Sequence, residues 1–276
     1  MRTRGREILP GLFRDGHHDN LRRLQGRCRR RGVNIADVRS NPKADSTGHL
    51  RFDATSIQSA GERWNGLAVV PIVLTFTYSI WSPTLPASLW STLVPQCLAY
   101  VCLAVWLTVN DRRWGRLFIV SRHFWESLRV GAVVGCLTGL FNLWVIVKLT
   151  PWLGFSSDFL RDTPHARMPF ALMVPWGITL IALFVEVNFR GFILGRLAMM
   201  WGDKSYGSVL AVMVSAVAFS LDPFMITVFR GYHWLALTDG MIWGGLLLRT
   251  RSLFSTIAAH TVEVILVYSA LRIFFA

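Results

Sequence analysis

From Trp64 to the C-terminus the chain is organised into apolar runs that approach twenty residues, the length a helix needs to cross about 30 Å of hydrocarbon. Seven stand out, at about 66–82, 88–109, 128–149, 168–187, 206–226, 233–248 and 254–274. In lipid every backbone N–H and C=O must be satisfied internally, and a helix does this within one segment. The expected fold is therefore all-α: a polytopic membrane bundle of about seven transmembrane helices over residues 64–276. The 53% hydrophobic against 16% charged composition excludes an ordinary soluble domain. Four cysteines without a C-x-x-C pair or a zinc spacing exclude a disulfide-stapled scaffold, and no structural disulfide is expected.

Residues 1–63 have a different character. They carry 14 basic and 7 acidic residues, include the cluster RRLQGRCRRR from Arg22 to Arg31, and show no sustained apolar period. This reads as a basic, largely disordered cytosolic tail. Such a cluster binds anionic headgroups at roughly 1 kcal/mol per basic residue near the surface. Arginine clusters also neutralise nucleic-acid phosphates, but no motif with stacking aromatics accompanies this one, and nucleic acid is not expected as a partner. Lysines and arginines flanking membrane spans are retained on the cytoplasmic side. With the tail inside, the seven spans divide the basic residues 24 inside against 5 outside, which predicts N-terminus in and C-terminus out.

Tryptophans 64, 81, 90, 114, 125, 152, 201 and 234 fall at or near the ends of the expected spans, where an indole bridges acyl chains and headgroups. Gly131, Gly135 and Gly139 form a small-xxx-small stripe in the third span. The stripe serves either close packing inside the bundle or a homodimer face.

The informative residues in such a chain are the polar ones, because a charge at the bilayer centre costs at least about 2.5 kcal/mol. Asn142, Lys148, Glu186, Asn188, Arg190, Asp222, Asp239, His260 and Glu263 lie in or beside spans. Glu186 and Arg190 share a helix face four residues apart, which fits a structural ion pair or a site. Glu263 stands three residues from His260 and can bond to it or face a cavity. Asp222 precedes Pro223, a dipeptide that ends or bends a helix.

Three segments, VEVNFRGFILGRL from Val185, AFSLDPF from Ala218 and GGLLLRTRSLFSTIAAHTVEV from Gly244, resemble in order and spacing the CPBP family. That family groups type II CAAX prenyl proteases with bacteriocin-processing and immunity-associated membrane proteins, and the resemblance covers about residues 168–270. Its pattern is E-E-x-x-x-R, then F-x-x-x-H, then H-x-x-x-N. Glu186 matches the second glutamate, Arg190 the arginine, Phe219 the phenylalanine and His260 the histidine of the third motif. Val185, Pro223 and Val264 stand where the first glutamate, the second-motif histidine and the asparagine would be.

The resemblance implies an intramembrane endopeptidase of a bacterial plasma membrane, acting on a membrane-delivered peptide near the cytoplasmic end of its helices. It implies that the first glutamate activates water and that histidine and asparagine hold the oxyanion, or that a metal takes their place. Valine does neither. A rewired site would use Glu186 as base and His260 as donor or acid, with Asp222 or Glu263 as orienting groups and Arg190 and Phe219 as structural residues. One histidine with scattered carboxylates matches no zinc spacing, so no metal is assigned and the cofactor is left open. The alternative is a catalytically silent scaffold or immunity-type binding protein on the same fold.

Overall fold

The computed structural model describes residues 62–81, 89–111, 113–121, 123–202, 206–229 and 232–275. The basic tail through residue 61, with its arginine cluster and Cys28, lies outside the described residues. Among these residues there is no strand. After a short 3-10 turn at Asn65–Ala68 come helices α1 (Val69–Trp81), α2 (Leu89–Val109), α3 (Phe124–Trp152) and α4 (Phe170–Trp201). They are followed by α5 (Gly207–Ser220), α6 (Pro223–Phe229), α7 (His233–Thr250) and α8 (Leu253–Phe275). Six of the seven expected runs each fall on one of these helices, and the run 206–226 falls on two, α5 and α6. Three helices, α3, α4 and α8, are long and apolar enough by length and composition to cross a membrane, while Asn65–Trp81, Leu93–Val109 and Gly207–Ser220 are shorter apolar helices.

The expected run 206–226 is not one helix. It stops at Ser220 and restarts at Pro223, because Asp222 accepts the Phe224 N–H at 2.9 Å and Pro223 opens α6. An acidic cap followed by proline at the first helical position is a start signal rather than an interior kink.

Between Phe124 and Trp144 of α3 the buried positions are small or polar, Ser127, Gly131, Gly135, Thr138, Gly139 and Asn142, while Val133, Leu137, Leu140, Phe141 and Trp144 are exposed. This inversion suits a chain surrounded by acyl chains, where close packing and interhelical hydrogen bonds hold the helices together. The glycine stripe is the seat of α8: Gly131 and Gly135 lie against the Ser255 and Ala259 carbonyls, and a Cβ on Gly139 would sit 3.2 Å from the Glu263 Cα. Of the two readings of the stripe, the structure shows packing inside the bundle. Trp64, Trp81, Trp114, Trp125, Trp152 and Trp234 are exposed at helix ends, whereas Trp106 and Trp243 are buried in the core. Cys97, Cys102 and Cys136 are free. Together the apolar helices and their exposed apolar faces make this an integral membrane protein.

Two residues counted with the tail are tied to the bundle. Arg63 and Asn110 exchange two hydrogen bonds, and the Glu62 carboxylate lies 2.7 Å from Arg196 and 3.7 Å from Arg116. Arg196, counted among the cytoplasmic flanking charges, is fully buried, with its guanidinium 4.3 Å above the Trp106 ring. Arg190, counted there too, is also buried.

Candidate active site

Helix α4 is not a uniform α-helix. It contains two π-helical stretches, Met173–Leu180 and Val187–Leu194, on either side of Ile181–Glu186. Such wide turns displace side chains from the ordinary helical face and recur at functional sites. Glu186 closes the regular segment and is wholly buried. Its Oε1 receives a hydrogen bond of 3.0 Å from His260 Nδ1, across 74 residues, and its Oε2 lies 3.5 Å from Arg190 Nε. The ion pair on α4 thus exists, and it is not closed on itself: it continues to the imidazole of α8.

Aromatic rings complete the cluster. The Arg190 guanidinium lies 4.3 Å from the centre of the Phe219 ring and 5.1 Å from that of Trp243, and its two terminal nitrogens have no acceptor among the described residues. Trp243 in turn stacks on His260, with ring centres 4.4 Å apart. Phe219, the retained residue of the second motif, packs against Phe189 and Trp243 and stands edge-on to His260. Four helices, α4, α5, α7 and α8, therefore meet at one imidazole.

A cavity of about 70 Å³ adjoins this cluster, and its walls include Val185, His260, Glu263, Asp239 and His165. Because a carboxylate can only accept, Nδ1 of His260 carries a proton, which leaves its second ring nitrogen uncommitted to Glu186. Glu186 is not on the wall. Its carboxylate is taken up by the His260 imidazole and the Arg190 guanidinium.

Glu263 belongs to a polar cluster of its own. Asn142 donates to Glu263 Oε1 at 2.7 Å and to both Asp239 oxygens at 3.0 and 3.2 Å, while Thr138 donates to Glu263 Oε2 at 3.0 Å. Glu263 thus reaches the cavity wall but bonds to Thr138 and Asn142 of α3, not to His260.

Asp222 takes a different place. Its carboxylate caps α6 and accepts a 2.7 Å hydrogen bond from Gln96 Nε2 of α2, and it does not line the cavity. Its expected orienting role at the Glu186–His260 pair is corrected: one residue is about 100° around a helix, enough to turn it to another face. Val185 and Val264, where the family pattern has glutamate and asparagine, do stand on the cavity wall. The polar groups are lost at the site itself. The stretch LLRTRSL from Leu247 to Leu253, within the third resembling segment, is the end of α7 and the tight turn into α8. There Arg251 adopts φ 52°, Thr250 Oγ1 bonds Ser255 Oγ at 2.7 Å, and Ser255 bonds the Ser252 carbonyl.

Sequence reasoning did not single out His165, on the one-turn helix Pro164–Arg167 between α3 and α4. Its Nε2 lies 2.7 Å from the Gly177 carbonyl, and its ring stacks on Tyr268 with centres 5.1 Å apart. Burial, with a smaller contribution from the nearby His260, holds this imidazole below its usual pKa, against the backbone bond that raises it. Trp243, Asp239 and Asn142 were likewise without an assigned role. Their only signal is a polar or aromatic residue inside an apolar run. Among the described residues no group of three or more His, Cys, Asp and Glu is arranged to hold a metal, so the residues present do not make a metal centre.

The cavity lies beside Gly177–Val185, towards the start of α4, beneath the segment carrying His165. No curated protein and no solved structure matches the chain. Residues 167–266, just over a third of the chain, match the family described as Type II CAAX prenyl endopeptidase Rce1-like. Glu186, Arg190, Phe219 and His260 all fall inside that stretch, which is similar to the Rce1-like family, and they converge in space.

Proposed function

We propose that the protein is an intramembrane endopeptidase in which His260, held by Glu186, acts on the scissile carbonyl of a membrane-delivered peptide. The observation that carries this reading is the 3.0 Å bond between Glu186 and His260 at the edge of a cavity within the Rce1-like segment. A buried carboxylate that fixes one nitrogen of an imidazole and leaves the other for substrate is the arrangement that acid–base catalysis needs. In this reading all seven helical stretches cross the bilayer, with the N-terminus inside and the C-terminus outside, and lipids are the surrounding partner. The bacterial plasma membrane is the location that the family resemblance implies. The substrate chain reaches the cavity from the membrane, as the exposed apolar faces favour.

The test is cleavage of fluorescence-quenched transmembrane peptides, prenylated and unprenylated, by the full chain in lipid nanodiscs. Glu186→Gln and His260→Ala should each lower turnover at least about a hundredfold. Full activity in both variants rejects the assignment. A second reading is favoured by one specific observation: Val185 and Val264 put methyl groups on the cavity wall where the family pattern has polar groups. On that reading the chain is a silent scaffold or immunity-type binding protein, no peptide is cleaved, and the two substitutions change only stability or partner capture.

A further inference from the structure

We propose that His165 is the catalytic base of this reaction, replacing the glutamate whose position Val185 occupies; the inference rests on the endopeptidase reading. Val185, His260 and His165 line one cavity. The first marks where the family pattern has its base, and the second is the retained imidazole. The third comes from outside the matched residues 167–266 and brings a second imidazole to the cavity.

The state of the His165 ring follows from its bonds. A backbone carbonyl only accepts, so Nε2 carries the proton towards Gly177 and Nδ1 holds a lone pair. Nδ1 is buried and has no partner among the described residues. The ring is also fixed in place. Thr163 caps its short helix, Tyr268 stacks on it, and Arg272 Nη2 donates to the carbonyls of His165, Ala166 and Met168. Such support is what a group held ready for proton transfer requires.

The two imidazoles differ in surroundings, which separates acid from base. His260 bonds the Glu186 carboxylate at 3.0 Å, whereas His165 bonds the neutral Gly177 carbonyl and stacks on Tyr268. In the reaction, the oxygen of water bonds to the peptide carbonyl carbon while His165 Nδ1 takes one water proton. The carbonyl π electrons move to oxygen, which lies on the His260 side of the cavity. The C–N bond then breaks and the proton on His165 passes to the departing nitrogen, giving a carboxylic acid and an amine and returning His165 to its neutral form.

The experiment uses the full chain in nanodiscs with the quenched transmembrane peptides. His165→Gln keeps a donor for the Gly177 carbonyl and removes the basic nitrogen; kcat should fall at least about a hundredfold with KM changed less than threefold. His165→Gly should be equally slow and recover at least tenfold when imidazole is added. A His165→Gln enzyme with more than a tenth of wild-type kcat overturns the proposal, as does a His165→Gly enzyme that binds peptide but gains nothing from imidazole. Should His165→Gln fail to fold, the imidazole response of His165→Gly decides alone. A wild type inert towards every peptide overturns the endopeptidase reading and the base with it, a pattern distinct from an active wild type with active variants.

Discussion

The indole of Trp243 lies nearly face to face with the imidazole of His260, ring centres 4.4 Å apart and planes 22° from parallel. The same indole carries the Arg190 guanidinium at 5.1 Å and meets Phe219 at 6.1 Å, so one side chain of α7 positions groups from α4, α5 and α8. Its Nε1 has no partner among the described residues, so what it contributes is ring area rather than a hydrogen bond. Trp243→Ala should cost about 3–5 kcal/mol through the cavity it opens. Trp243→Phe, which keeps an aromatic plane and loses no bond, should cost less than half as much. Thermal unfolding in nanodiscs compares them, and equal losses for the two would show that ring stacking is not the basis of the contact.

The glycine stripe makes a separate prediction. A methyl group on Gly135 would run into the Ala259 backbone, and one on Gly131 into the Ser255 carbonyl, so α3 and α8 would have to separate. Overpacking of this kind costs about 1–3 kcal/mol. Because α8 carries His260, Gly135→Ala should also lower activity. Gly245 is helical, and a methyl group added there would meet nothing within 4 Å, so Gly245→Ala should be neutral or gain about 0.5–1 kcal/mol. An unfolding midpoint for Gly135→Ala at or above that of Gly245→Ala contradicts the packing role.

Much of this arrangement was legible because membrane helices announce themselves. An apolar run needs no partner to be recognised, and the retained Glu186, Arg190, Phe219 and His260 keep their spacing. The sequence also marked the losses at Val185, Pro223 and Val264. What it did not carry was rotation and return of the chain. Asp222 and Glu263 each neighbour a family position by one residue, yet α6 turns the first towards Gln96 and α8 turns the second towards Asn142. His165 sits on a single turn between two long helices, and it reaches the cavity only because Arg272, at the far end of α8, gathers that segment by its carbonyls. No local pattern records a clamp between residues more than a hundred positions apart.

Glu62 and Arg196 form an ion pair of 2.7 Å with both side chains almost fully buried. Arg196 also donates to the Arg116 carbonyl at 2.7 Å and lies over Trp106, so it is held by more than charge. Removing one partner of a buried pair leaves an uncompensated charge and costs about 3–5 kcal/mol, whereas replacing both with apolar groups is often neutral. Glu62→Ala should therefore destabilise strongly, and the Glu62→Leu, Arg196→Met double variant should recover most of the loss. Unfolding of the single and double variants in nanodiscs tests this. A single variant as stable as the wild type would mean that the pair does not anchor residues 62–63 to the bundle.

His165 also predicts a pH dependence of stability. Its pKa in the fold lies below the unfolded value of 6.5, chiefly through burial, so between the two values the unfolded chain binds more protons than the folded one. Stability from this group is complete above the unfolded pKa and is lost as pH falls through the folded one. The bond from Nε2 to Gly177 survives protonation, since an imidazolium still donates there; the penalty falls on the second proton, which Nδ1 must carry inside the fold. His165→Gln has no such proton to take up. Lowering the pH from 7 to 5 should therefore lower the unfolding temperature of the wild type by more than that of His165→Gln, with the other titrating groups common to both and cancelling in the difference. Parallel shifts in the two proteins would show that Nδ1 accepts a proton in the fold as easily as in water, and it would then not be the sheltered lone pair that the proposed base requires.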